Sequence, residues 1–372
     1  MASLSSRFFD RWFGAYERLP TDYSSSNSRR RNQSAVRIGL AVALSAGAVW
    51  AIWAIARGFP RRPYNPLDDY QNINPFPVTV SGAAKSPSRH AVVSSLYSDG
   101  FAIAVAVVGH STRRANVTAR LMLPYLEGQV SETALCITRV LGWETYAVPW
   151  IAPPKGGKGI HPRFKDQYTK LNIWALDKQD IDSAVYLDAD TLVRRNFDEL
   201  FDSPFGFAAV PDVYGAGDPR GFSLTLNAGV LAFHPSSLIL ADMRRKLEVA
   251  QYPLKQAEQA FLNLYFGGTT LRLPYVYNAN LAIKARSPAL WARLEDEMRI
   301  VHYTGVKPFI HEGRSSDALL TLAEVEEAMA QGARREGGFY AEEVAWWRRE
   351  YRSMMREKGD GVKACYQASR TS

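Results

Sequence analysis

The sequence predicts an α/β domain with a mainly parallel sheet and helices on both faces, and three stretches carry that prediction. Residues 101–108, FAIAVAVV, are a continuous valine-rich apolar run of the kind a strand buried on both faces requires. Residues 132–143, ETALCITRVLGW, follow Ser131 as a capped helix stopping near Gly142, and ETYAV at 144–148 then reads as a strand. Residues 167–177, QYTKLNIWALD, have the spacing of an amphipathic helix and lead into AVYL, a further short buried strand. Helices alternating with buried strands imply parallel pairing through crossovers.

Four regions precede or make up this domain. Residues 1–37 are rich in Ser, Asn and Arg without periodicity and read as a polar tail. Residues 38–56, IGLAVALSAGAVWAIWAIA, are uncharged and match the roughly 20 residues a helix needs to cross a bilayer. Seven arginines precede this segment (Arg7, Arg11, Arg18, Arg29, Arg30, Arg31 and Arg37), against Arg57, Arg61 and Arg62 just after it. That bias predicts a single-pass anchor with a cytosolic N-terminus and a luminal C-terminal domain, as in a Golgi or other secretory-pathway membrane protein. Residues 57–97 carry six prolines with Ser and Asn between them, the composition of an extended stem, and residues 98–372 form the domain.

The net charge of +8 sits largely in those terminal arginines, so nucleic acid is not the expected partner. Two cysteines, Cys136 and Cys365, exclude a disulfide framework and permit one bridge.

The chemistry centres on residues 185–193, VYLDADTLV, where Asp188 and Asp190 stand at the end of a buried strand. Ligands of open α/β sheets bind beyond the carboxyl ends of strands. Paired carboxylates there serve a phosphoryl-transfer aspartate or a divalent metal that holds a diphosphate, or else are a solvated strand end or a helix cap. A DxDxT phosphatase would open its domain with this motif and add a late acidic pair. Here the motif comes almost ninety residues into the domain, and GAGDPRG at 215–221 follows too closely. The metal–diphosphate reading finds its remaining parts in order. They are LNAGVLAFHPS at 226–236, QAEQAFLNLYFGG at 256–268, LPYVYNAN at 273–280 and IVHYTGVKPFI at 300–310. His302 is a suitable manganese ligand beside carboxylates, and Lys307 a compact charge for phosphate.

The succession TKLNIW, VYLDADTLV with NFDELFD, AAVPD, LNAGV, EQAFLN, LPYVYN and VHYTGVKPF resembles the family 8 glycosyltransferases in a glycogenin-like, membrane-anchored form. The resemblance implies a GT-A fold, manganese, a UDP-sugar donor and hexosyl transfer with retention. Carried over residue by residue, it makes Asp188, Asp190 and His302 the metal ligands and Lys170 a donor contact. Asn227 and Gln259 would line the sugar, with Gln259 nearest the anomeric carbon. Gly305 and Lys307 would clamp the diphosphate, and Ala189 would meet the ribose through its backbone. Gln259, Lys307 and Asp190 are the residues expected to act in catalysis, and uridine contacts are expected from the first strand within Val108–Thr112. Glu258 keeps a covalent route open.

The chain departs from the family where a Gly-Gly-Asp-Gln turn becomes Gln256-Ala257-Glu258-Gln259 and where the clamp is one residue short with Phe309 for tryptophan. The segment aligned with glycogenin's self-modified tyrosine reads IKARSPAL and has no tyrosine, so a separate glycan, glycoprotein or glycolipid acceptor is expected. Lys284 and Arg286 in that segment read as solvated surface cations, or as a preference for an anionic acceptor. Trp346 and Trp347 read as packing a C-terminal helix onto the domain, with an acceptor platform as the alternative. The competing classes are a non-catalytic luminal scaffold with the same fold, or a DxDxT phosphatase.

Overall fold

The computed structural model describes residues 37, 40–52, 87–214, 218 and 222–368. The chain divides into two units, residues 1–64 and 65–372. In the first, residues 40–52 are helical, with Leu40, Val42, Leu44, Val49, Trp50 and Ile52 exposed. Among the described residues no helix is long and apolar enough to cross a membrane. Both ends of the expected span 38–56 lie outside the described residues, as do the tail before Arg37 and most of the stem.

The second unit contains a seven-stranded sheet in the order β3-β2-β1-β4-β7-β6-β8. Its strands are β1 (His90–Val93), β2 (Arg120–Leu126), β3 (Glu144–Val148), β4 (Ser183–Leu187), β6 (Phe207–Val213), β7 (Phe222–Phe233) and β8 (Leu271–Arg272). Pairing is parallel throughout β3-β2-β1-β4 and between β6 and β8, whereas β7 runs antiparallel to β4 and β6. A three-stranded sheet joins β5 (Thr191–Val193), β10 (Ile300–His302) and β9 (Ala279–Asn280). The helices are α1 (Ala102–Arg114), α2 (Glu132–Val140), α3 (Ser237–Leu247), α4 (Ala257–Phe266), α5 (Leu281–Arg286), α6 (Pro288–Leu294), α7 (Leu322–Arg334) and α8 (Ala341–Ala368).

Alternation along the strands divides the core in two. Val92, Val185, Leu187 and Val230 face a cluster that includes α1, α2 and α8. Ala91, Val93, Ala184, Tyr186 and Leu231 face the other, which includes the tight 3-10 helix Pro162–Gln179, α3 and α4. Helices therefore cover both faces, as the sequence predicts. Ser131 caps α2 by accepting a hydrogen bond from Ala134 N (3.2 Å), worth about 1 kcal/mol. Gly142 at φ 88° ends that turn, and Trp346 and Trp347 are buried under α8. Cys136 and Cys365 form a disulfide that ties α2 to α8.

Two expectations are corrected. FAIAVAVV is not the first strand but the first two turns of α1, buried from Ala102 to Thr112. A helix surrounded on all sides has no polar stripe, so its pattern equals that of a buried strand, and only length separates them. The first strand is HAVV, four residues inside the stretch expected as stem, and the domain thus begins before residue 98. With β1 moved forward, α1 and β2 both lie before Ser131, and Pro124 is within β2. The uridine expectation falls with it: Val108–Thr112 are helical, whereas Ser94, Ser95, Leu96 and Tyr97 follow β1 at its carboxyl end.

Candidate active site

The strand order reverses between β1 and β4, and it is beyond the carboxyl ends of strands at such a point that open α/β sheets bind ligands. Asp188 leaves β4 there. Its backbone N–H donates to Gly229 O (2.8 Å), and its carbonyl accepts from Thr191 N and Thr191 Oγ1, which fixes the turn into β5. The carbonyl of Asp190 accepts from Tyr303 N (2.9 Å). Antiparallel pairing of β5 with β10 sets His302 opposite Thr191 and thereby beside both aspartates. His302 Nε2 lies 3.2 Å from Asp190 Oδ1 and 3.9 Å from Asp188 Oδ2. One ligand atom from each of the three residues lies within 4.8 Å of the others, a set that could hold a divalent metal.

The orientation of the His302 ring follows from a chain of amides. Asn227 Oδ1 accepts from the Gly229 N–H (3.0 Å), a donor of fixed polarity, and from Asn278 Nδ2 (2.9 Å). The oxygen of Asn278 therefore faces His302 Nδ1 at 3.0 Å and, as an acceptor, requires a proton there. That leaves Nε2 as the nitrogen turned to the carboxylates, the atom through which His302 could bind a metal. In the other direction Asn227 Nδ2 donates to Asp212 Oδ1 (3.2 Å) and Gln259 Nε2 to Asp212 Oδ2 (2.9 Å). Gln259 Oε1 accepts from the Ala228 N–H (3.0 Å). Glycine at 229 is required by approach: a Cβ there would lie 2.1 Å from His302 Cε1.

Lys170 is buried, with Nζ 2.9 Å from Glu258 Oε1, 3.1 Å from Asp188 Oδ1 and 3.3 Å from Ala228 O. Burial alone would lower its pKa, but Asp188 and Glu258 outweigh that and hold the ammonium charged. Burial raises Glu258 above the usual carboxylate range, against the pull of Lys170. Tyr186 donates to Asp188 Oδ1 (2.8 Å) and bonds Ser95 Oγ (2.9 Å). One oxygen of Asp188 is thus occupied by Lys170 and Tyr186, and the other turns to His302. Burial would raise Asp190 as well, but Lys307 and His302 beside it hold it well below the usual carboxylate range. Lys307 Nζ contacts Asp190 Oδ2 and lies 3.2 Å from Tyr303 O.

Of the residues expected from sequence, contacts link Lys170, Asp188, Asp190, His302 and Lys307 on one side and Asn227 and Gln259 on the other. Ala189 is half-buried between the aspartates, and Gly305 lies exposed in the loop after β10. Lys284 is not a solvated cation: it pairs with the buried Glu343 at 2.7 Å, and Arg286 donates to Tyr214 O (3.4 Å). Sequence reasoning missed Ser95, Tyr186, Asp212 and Asn278. Tyr186 stands two residues before Asp188, hence on the same face of the strand. Asp212 and Asn278 end AAVPD and LPYVYN, stretches already conspicuous.

Among curated proteins, an inositol phosphorylceramide glucuronosyltransferase of Arabidopsis thaliana is 28% identical over 240 residues, covering 58% of this chain and 41% of that protein. Galactinol synthase 1 of Solanum lycopersicum is 32% identical over 166 residues, covering 40% and 50% respectively. A glycogenin of Neurospora crassa is 29% identical over 157 residues, covering 41% and 21%. The chain thus spans half or less of the length of these relatives. Residues 92–311, from β1 to just past Lys307 and so including every residue of the site, match the family described as glycosyl transferase family 8, and the chain belongs to that family.

Proposed function

We propose that this chain is a manganese-dependent, retaining hexosyltransferase that moves a sugar from a UDP-sugar to a separate acceptor. The observation that carries the reading is the Asp188–Asp190–His302 set with a lysine on each aspartate. Two carboxylates and an imidazole with its Nδ1 proton committed to Asn278 fit a divalent ion of the manganese class. Such an ion, when bound, neutralises the diphosphate of the departing nucleotide.

The chain's own residues do the rest. Lys307 supplies positive charge to the leaving diphosphate, and Gly305, without a Cβ, lets the phosphates approach the backbone. Lys170 holds Asp188 in place. Asn227 and Gln259, braced by Asp212, turn amide groups toward sugar hydroxyls, and the backbone of Ala189 meets the ribose. Both oxygens of Asp212 accept hydrogen bonds and Glu258 is paired with Lys170, so neither carboxylate is free to attack. That favours substitution from the leaving-group face. The bond from C1 to the diphosphate oxygen breaks, the acceptor oxygen bonds C1 on the same face, and the acceptor's proton passes to the departing phosphate.

Segment 38–56 with its basic flank supports a single-pass anchor in a Golgi or other secretory membrane, the domain luminal. The Cys136–Cys365 disulfide suits that oxidising compartment. Asn116, in the acceptor sequence Asn-Val-Thr, is exposed.

The deciding experiment measures UDP release by the purified full chain across a panel of UDP-sugars with manganese. Release from at least one donor, lowered by about two orders of magnitude or more in Asp188→Asn and Asp190→Asn, is expected. Silence across the panel from a folded protein would leave the scaffold reading.

A further inference from the structure

A second charged site lies outside the metal-ligand set. A cavity of about 510 Å³ opens between α1, the end of β5 and α8, lined by Arg114, Arg194, Arg349, Arg352 and Arg356 together with Trp346 and one carboxylate, Glu350. Its volume is that of a small-molecule site. Residues 349, 352 and 356 recur at helical spacing and so share one face of α8.

The arginines do not neutralise one another, and the available carboxylates do not suffice. Arg114 pairs with Glu350 at 2.7 Å, an acid already shared with His110, and Arg352 pairs with Glu326 at 2.9 Å. Arg349 and Arg356 pair with no carboxylate among the described residues. Arg194 spends one N–H on the carbonyl of Glu295 (3.1 Å), and its guanidinium lies 4.1 Å from the ring centre of Trp346. Trp346 also stacks on Trp291. The ring is therefore a mount for Arg194 in the cavity lining. Burial lowers the pKa of Arg194, and Arg195 and Arg349 push it the same way, against Glu295. Holding three under-compensated guanidiniums around one opening costs free energy unless an anion enters it.

We propose that this cavity binds a phosphate ester of sugar or polyol size, gripped by Arg194, Arg349 and Arg356. A phosphate monoester carries close to two charges and three acceptor oxygens, which matches three guanidinium forks, whereas a single carboxylate would engage one. The same chemistry is offered by a soluble sugar phosphate and by a phosphorylated lipid headgroup. The site is independent of the donor site and does not rest on the transferase reading.

The test is titration calorimetry on the full chain without metal, using inositol hexakisphosphate as the first probe. Binding is expected, and it should weaken about tenfold or more in Arg349→Ala/Arg356→Ala. Both positions are exposed on a helix that tolerates alanine, and a thermal melt checks that the variant folds. Asp188→Asn should bind the probe as the parent does, so loss of transferase activity and loss of this site are read separately. A short-chain phosphoinositide that binds more tightly than its bare headgroup identifies a lipid, and equal binding identifies a soluble ester. No binding, or binding that the double substitution leaves unchanged, overturns the proposal.

Discussion

His302 Nδ1 lies 3.0 Å from Asn278 Oδ1, and that contact decides which nitrogen of the imidazole faces Asp190. Asn278→Ala should therefore weaken manganese binding about 10–100-fold without unfolding the domain. His302→Ala should go further, leaving two aspartates to hold the ion. Manganese titration of activity, with a melt as control, reads both. Full activity of His302→Ala at low manganese would remove it from the ligand set.

Gly229 and His302 approach too closely for any side chain, since a Cβ at 229 would lie 2.1 Å from Cε1. Gly229→Ala should cost about 1–3 kcal/mol of stability and displace the imidazole, raising the manganese requirement. Denaturant unfolding and metal titration would show the two effects together. A variant that is stable and active would mean the ring has another place to go.

Much of this site is legible in the sequence, because its donors sit where short linear patterns put them. Asp188 and Asp190 follow an apolar strand, and His302 follows Ile300 and Val301 in another. What is not legible is the amide chain from His302 through Asn278, Asn227 and Asp212 to Gln259. Its members come from distant segments, and the stretch AAVPD marks Asp212 without showing which side chains it meets. The fold was misread at its start for a different reason. HAVV is too short to show a period and lies among prolines and serines, while the longer run beside it is apolar on every side because α1 is enclosed. Asn227 lies inside β7, whose early half shifts register against β6, a placement that the residues around it do not announce.

Ala257 takes φ 47° and ψ −132°, a region that glycine enters freely and a Cβ does not. This is where the family usually has the second glycine of Gly-Gly-Asp-Gln. Ala257→Gly should raise stability by up to about 1 kcal/mol, against the usual cost of glycine near a helix start. A shift of the urea midpoint upward at constant slope is the expected readout. A drop would mean that the turn does not strain alanine.

His110 is buried on α1 with Nδ1 2.6 Å from Glu350 and Nε2 3.2 Å from Glu357, both on α8. Burial pulls its pKa down, but the two carboxylates overcome that, and the net shift is upward. Arg114, on Glu350, is the nearby like charge. Since the folded value exceeds the unfolded one, the folded state binds the proton more tightly. The stabilisation is complete below about pH 6.5 and is lost as the pH rises through the raised folded value. His110→Gln should cost about 1.5–3 kcal/mol at pH 6 and less at pH 8. Unfolding curves at a series of pH values would show the parent's decline and its absence in the variant.

Self-glycosylation of the glycogenin kind needs a tyrosine in the segment aligned at 283–290, and this chain has none there. The segment is also not free to present a side chain. Lys284 is held by the buried carboxylate of Glu343, which accepts from Trp291 Nε1 at 2.9 Å as well, and α5 ends against Ser287, the cap of α6. Tyr275 and Tyr277, which come next before it in sequence, are fully buried. A cation locked in that ion pair also gives no grip on an anionic acceptor, so acceptor charge should not be read from Lys284. Incubation of the purified full chain with a UDP-hexose and manganese, followed by the mass of the intact protein, should show no added hexose, while UDP release rises when an acceptor is supplied. A ladder of hexose additions that disappears in Asp190→Asn would instead establish self-modification at a residue outside that segment.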